Sequence, residues 1–194
     1  KFFILNSVNC LQRLNIARFI QKKLLLCILI MGETVYLGMG SNLGDRLENI
    51  RRAVDLCRTS IGVLLESSAI YETTPWGFDC DRNFYNSVIR MRSTLEPEEI
   101  LNRIKDIENL FGRRKTRSGY EPRVIDIDIL LYGTRVINSP GLTIPHKHLP
   151  YRKFVLVPLQ TLAPGFVHPL SGKTIRELLE ACPDRGIVTP VAAI

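Results

Sequence analysis

Residues 122–133 read Pro-Arg-Val-Ile-Asp-Ile-Asp-Ile-Leu-Leu-Tyr-Gly, which sets two carboxylates inside a segment that otherwise has the composition of a buried β-strand. Successive strand side chains point to opposite faces, so Ile125, Ile127, Ile129 and Leu131 are expected to share an apolar face while Asp126 and Asp128 project from the other. Their Cβ atoms would lie roughly 6.5–7 Å apart, within reach of one shared cation or two neighbouring ones. A solvated outer face is the plainer reading. Against it, strands disfavour Asp, and like charges at this spacing repel unless something positive intervenes. Hard oxygen ligands with no His or Cys beside them suit Mg²⁺ better than zinc.

The surrounding pattern gives that strand a place. A β-type run over residues 34–39 leads into Gly40-Ser41-Asn42-Leu43-Gly44-Asp45, read as a tight turn. Leu47, Ile50, Val54, Cys57 and Ile61 then form one stripe of an amphipathic helix that Gly62 ends. Residues 63–71 and 84–92 are predicted strands joined by a loop, and Glu96-Pro97-Glu98-Glu99 starts a second helix with Ile100, Ile104, Ile107 and Phe111 on its buried stripe. After the aspartate strand, Gly133-Thr134 is expected to turn into a hairpin with residues 135–137, followed by short helices over 154–162 and 174–182. The order strand, helix, strand, strand, helix, strand is the α+β, ferredoxin-like βαββαβ plan: an antiparallel sheet with two helices on one face, plus a C-terminal hairpin and short helices. The plan alone says nothing of function.

A net charge of +7 resembles a nucleic-acid signal until it is divided along the chain. Residues 1–30 carry Lys1, Arg13, Arg18, Lys22 and Lys23 and no acid, which leaves 21 basic and 19 acidic residues beyond them. Global basicity therefore argues for no nucleic-acid partner. Cys10, Cys27, Cys57, Cys80 and Cys182 are scattered and odd in number, as expected of reduced thiols in a cytoplasmic protein. The eight apolar residues from Leu24 to Met31 are too few to span a bilayer. Residues 1–30 are expected to be an N-terminal extension outside the fold, and residues 31–194 a single domain.

Chemistry concentrates in a few places. Five cations, Arg113, Arg114, Lys115, Arg117 and Arg123, run straight into the aspartate strand, and cations beside carboxylates imply a shared polyanion such as a triphosphate with Mg²⁺. The stretch Gly38-Met39-Gly40-Ser41-Asn42-Leu43-Gly44 matches neither a Walker A loop nor a Rossmann fingerprint. Trp76 on a loop and Asn86, directly after Phe84 and Tyr85, offer a stacking surface and an amide able to read the edge of a flat heterocycle. His146 and His148 lack a third nitrogen or sulfur ligand, so a neutral hydrogen-bonding role for His146 is favoured over metal. An RNA-binding module would require aromatics in a Gly-Phe/Tyr-Gly/Ala-Phe strand pattern, which is missing. A metal-dependent transferase with another acceptor is opposed only by the Trp76 and Asn86 region.

Taken together, Gly40-Ser41-Asn42-Leu43-Gly44, Thr74-Pro75-Trp76-Gly77 with Asn83-Phe84-Tyr85-Asn86, Pro122-Arg123-x-x-Asp126-x-Asp128, and Pro145-His146 through Arg152 and Phe154 resemble the 6-hydroxymethyl-7,8-dihydropterin pyrophosphokinases. The resemblance implies transfer of pyrophosphate from ATP to the pterin hydroxymethyl group, giving AMP and the pterin diphosphate in folate biosynthesis. It implies two Mg²⁺ on Asp126 and Asp128, phosphate contacts from Arg113 and Arg123, and further ATP contacts from Lys115, Ile129, His146 and Arg152. Thr73, Thr74, Pro75, Trp76, Asn86, Tyr120 and Phe154 would form the pterin pocket, with Glu108 supporting the site. A neighbouring folate-pathway enzyme is an open partner. Gly119-Tyr120-Glu121 stands where many members have Arg-Trp-Gly, and Lys147 where many have an aromatic.

Overall fold

The computed structural model describes residues 19–77, 81–112 and 123–194. Residues 19–31 are helical (α1), and the remaining elements are β1 (Glu33–Ser41), α2 (Arg46–Ser60), β2 (Val63–Ser67), β3 (Ile70–Thr73), β4 (Phe84–Ser93), α3 (Pro97–Leu110), β5 (Asp126–Tyr132), β6 (Ile137–Ser139), β7 (Leu142–Ile144), α4 (Lys153–Leu162), α5 (Ile175–Glu180) and β8 (Val188–Ala192). The main sheet runs β5-β1-β4-β3-β8, with β2 also paired to β4, and all its described pairings are antiparallel.

The helices form where the apolar stripes require them. Asp45 caps α2 by accepting from the Glu48 amide, and Ile50, Ala53, Val54 and Cys57 are buried. A capping box of Glu96 and Glu99 starts α3, which buries Ile100, Ile104 and Ile107. These side chains pack on Val35, Leu37 and Met39 of β1 and on Ile125, Ile127 and Ile129. The opposite sheet face is also covered. Tyr36, Val88, Leu130 and Leu131 pack against Val155, Leu156 and Leu159 of α4 and Ile175 and Leu178 of α5. The C-terminal helices thus build a second core on the far face of the sheet.

Four local expectations change. Residues 63–71 form two strands instead of one, because Ser68 accepts the Val88 amide with its hydroxyl, interrupting the ladder between β2 and β3. The hairpin follows β6, not β5: Ile137–Ser139 pairs with Leu142–Ile144 in a separate two-stranded sheet. A register shift opposite Tyr36 and Leu37 leaves Leu130 as an extra residue in β5, so Leu131 packs with Leu130 and not with the isoleucines. Finally, Gly40 and Ser41 belong to β1, and the turn starts only beyond Asn42.

Candidate active site

Between β1, β4, β5 and the start of α4 lies a cavity of about 410 Å³. Asp126 and Asp128 enter it from β5, Thr73, Thr74 and Trp76 from the end of β3 and its loop, Phe84 and Asn86 from β4, and His146, His148, Arg152 and Phe154 from the segment leading into α4. Gly38 and Gly40 form its floor. They pair with Asp128 and Asp126, and a Cβ on Gly40 would stand 2.9 Å from Asn86 Oδ1, so no larger residue leaves room for that amide.

Each carboxylate has cationic or imidazole company. Arg123 Nη1 lies 2.6 Å from Asp126 Oδ1, while Arg152 Nη1 and His146 Nε2 approach Asp128 Oδ2 at 3.7 and 3.8 Å. Burial alone would lower the Arg123 pKa, but Asp126, with Asp128 and Glu108, raises it above its ordinary value. Arg123 is anchored through its backbone: its amide donates to Asn42 Oδ1 at 2.7 Å, and its carbonyl accepts from the Asn42 amide. Burial, reinforced by Arg152, His148 and Lys147, pushes His146 down to about 4, so its imidazole is neutral near pH 7 and its approach to Asp128 is not an ion pair. Its Nδ1 accepts from the His148 amide, which assigns the ring proton to Nε2, facing Asp128.

The aromatic side is equally connected. The Arg152 guanidinium lies 4.7 Å from the Trp76 ring centre and 5.5 Å from that of Phe154, and Trp76 neighbours both Phe154 and His148. Arg152 is 9% exposed, and its Nε is buried with no hydrogen-bond partner among the described residues. A buried guanidinium donor left over beside the Asp128 carboxylate suits an anionic ligand. Asn86 Nδ2 donates to Thr73 Oγ1 at 2.7 Å, which fixes the amide on the cavity floor. Arg46 secures the base of the Trp76 loop: it donates to Asn83 O and Glu72, and it stacks 3.8 Å from the Tyr85 ring centre.

Of the residues singled out in the sequence, Thr73, Thr74, Trp76, Asn86, Arg123, Asp126, Asp128, His146, Arg152 and Phe154 are brought together here. Pro75 and Ile129 do not line the cavity, and Ile129 is buried in the core on the opposite face of β5. Glu108, 3% exposed, accepts the Ile127 amide at 3.1 Å and so holds the aspartate strand from behind. Arg113, Lys115 and Tyr120 lie outside the described residues. Phe84, Gly38, Gly40 and His148 also line the cavity. Each stood in a stretch singled out in the sequence, Phe84 beside Asn86, the glycines before the first turn and His148 beside His146, but none was assigned to the site.

Among the described residues no three His, Cys, Asp or Glu side chains gather in a way that could hold a metal. Two carboxylates on one face nonetheless fit Mg²⁺, which commonly takes one or two protein carboxylates and completes its shell with water and phosphate oxygens.

Residues 36–164 match the model of the family described as 7,8-dihydro-6-hydroxymethylpterin-pyrophosphokinase (HPPK). The chain belongs to this family. It is 41% identical over 144 residues to the 2-amino-4-hydroxy-6-hydroxymethyldihydropteridine pyrophosphokinase of Aquifex aeolicus (strain VF5), covering 74% of this chain and 89% of that one. It is 44% identical over 138 residues to the enzyme of the same name from Porphyromonas gingivalis (strain ATCC 33277), covering 70% and 93%. The fold is similar to that of an HPPK-DHPS solved in complex with substrates, with a TM-score of 0.65 at 16% identity over 78% of this chain and 43% of that one. Every cavity-lining residue lies within the stretch that matches the pyrophosphokinase family, whereas α5 and β8 lie beyond it.

Proposed function

We propose that this pyrophosphokinase transfers the terminal pyrophosphoryl group of ATP to the hydroxymethyl oxygen of 6-hydroxymethyl-7,8-dihydropterin, a step of folate biosynthesis. The observation that carries the assignment is one cavity holding both Asp126 with Asp128 and the Trp76, Asn86 and Phe154 wall. A flat heterocycle stacks on the aromatic wall and reads Asn86 with the backbone of residues 73–76; a polyphosphate lies against the carboxylates and guanidiniums.

In the reaction an oxygen–phosphorus bond forms at the β-phosphorus, the bond to the α-phosphate oxygen breaks, AMP departs and the alcohol proton is released. The protein has little covalent work to do, so positioning and charge neutralisation dominate. Asp126 and Asp128 would hold two Mg²⁺, which supply charge neutralisation on the phosphate oxygens. Arg123 and Arg152 bind phosphate oxygens, neutral His146 donates a hydrogen bond from Nε2, and Glu108 and Asn42 fix the strand and the arginine from outside the cavity. By resemblance, Arg113 and Lys115 add phosphate contacts, Tyr120 and Pro75 add to the pterin pocket, and Ile129 contacts the adenine.

The sheet order, with β5 beside β1, β4 next, and β2 and β3 beyond it, supports a ferredoxin-like βαββαβ plan within a single domain over residues 31–194. Residues 1–30 are read as an extension to that domain. No helix among the described residues is long and apolar enough to cross a membrane, and we assign the enzyme to the cytoplasm. The fold shared with an HPPK-DHPS supports a neighbouring folate enzyme as a partner.

Nucleotide products test the reaction. The protein, ATP, Mg²⁺ and 6-hydroxymethyl-7,8-dihydropterin should yield AMP only when the pterin is present. ADP in place of AMP, or no consumption of ATP, would overturn the proposal.

A further inference from the structure

Beyond the family match, a short segment reaches back to both walls of the cavity. Asp184 Oδ2 accepts the Lys153 amide at 2.9 Å, and Oδ1 accepts the Gly186 amide at 2.8 Å. Lys153 is the first residue of α4, whose own N-cap, Arg152, supplies no side-chain acceptor. Asp184 therefore satisfies an otherwise uncapped helix start from 31 residues away, with its negative charge at the favourable end of the dipole. Lys153 Nζ returns a hydrogen bond to Gly186 O at 3.2 Å.

The next residue grips the opposite wall. The Thr74 amide donates to Ile187 O, and the Ile187 amide donates to Thr74 Oγ1, both at 3.3 Å. From there β8 continues along β3, pairing Val188 with Thr73 and Thr189 with Glu72. The seat is tight at Gly186, where a Cβ would stand 3.0 Å from both Thr74 Oγ1 and Asp184 Oδ1. Thr74 and Trp76 line one side of the cavity; Arg152 and Phe154 line the other.

We propose that residues 184–187 form a clamp that fixes the spacing between the Thr74–Trp76 wall and the start of α4, with Asp184 as the positioning residue for pterin binding. The inference rests on the pterin reading of this cavity. Asp184 touches no substrate; it acts through Lys153 and Gly186. Its loss should let the aromatic walls part and weaken pterin binding, while the polyphosphate, held by β5 and Arg123 as well as by Arg152 at the start of α4, should be affected less.

The test compares wild type, Asp184→Asn, which keeps one acceptor oxygen, and Asp184→Ala, which keeps none. Trp76 is the single tryptophan of the chain, so fluorescence excited beyond the tyrosine absorption reports on this wall alone. Asp184→Ala should raise the KM for the pterin about tenfold with the KM for ATP within about twofold, and Asp184→Asn should fall between. Without any substrate, acrylamide should quench Trp76 more strongly in Asp184→Ala than in wild type. Equal changes in both KM values and kcat, or unaltered quenching in a folded variant, overturn the clamp. If Asp184→Ala does not fold, Asp184→Asn carries the same two readings. Wild-type Trp76 fluorescence that ignores added pterin would instead overturn the pterin reading, and the substrate-free quenching would still decide the clamp.

Discussion

The two faces of β5 lie one peptide apart and obey different physics. On one, Ile125, Ile127 and Ile129 are at most 5% exposed and packed under α2 and α3. On the other, the side chains of Asp126 and Asp128 keep 28% and 40% exposure and open into the cavity beside Arg123, His146 and Arg152. The apolar face gains its stability from burial, which is non-directional and tolerant of detail. The polar face must hold like charges together, and Arg123, Arg152, His146 and the glycines Gly38 and Gly40 stand beside them. Rigidity is supplied on the first face for use on the second.

Substitutions that act on one face only should break this contrast most sharply. Asp128→Asn should lower turnover by about 10³-fold or more while leaving the melting temperature nearly unchanged, because a partly exposed carboxylate near water adds little to stability. Turnover close to wild type would remove Asp128 from the machinery. Ile104→Ala on the opposite face should do the reverse, destabilising by about 2–5 kcal/mol in chemical denaturation while the folded fraction keeps its KM values. Glu108 joins the faces, since it rises from the apolar side to bond the Ile127 amide. Glu108→Ala should destabilise by about 1–3 kcal/mol through that orphaned amide, and Glu108→Gln, which keeps an acceptor, should recover most of the loss.

The smallest expected effect concerns pH. Burial holds the His168 imidazole below its ordinary pKa, and its Nε2 is buried without a hydrogen-bond partner among the described residues. The unfolded chain therefore takes up this proton first as pH falls. The stability that the neutral ring contributes is complete above about pH 6.5, the ordinary histidine value, and declines as the pH drops below it. The melting temperature should fall between pH 7 and pH 5, and His168→Gln should flatten part of that slope. An unchanged slope would place the acid sensitivity elsewhere.

Local periodicity made much of this molecule legible in advance. The stripes of α2 and α3, the start of α3 at Glu96 and the alternation around Asp126 and Asp128 are all set by residues within a few positions of one another. The failures share a different character. The break at Ser68 depends on Val88, and the switch of Leu131 depends on the bulge against β1. The role of Gly40 depends on Asn86, and β8 with its grip on Thr74 joins residues more than a hundred positions apart. No local pattern encodes such contacts. They depend on which strands lie side by side.

By itself, then, the sequence determined the helices α2 and α3 and the central strands, their apolar faces, the paired carboxylates and, through its motifs, the family. Side-chain spacing and composition suffice for these because they act over one or two turns or a single strand. Only the tertiary structure decided that the C-terminal helices cover the second face of the sheet, that Arg152 lies between Trp76 and Asp128, and that Asp184 caps α4 from a distance. Those outcomes arise from packing and from satisfying buried polar groups across the fold, where the partner of each group is chosen by topology and not by its neighbours in the chain.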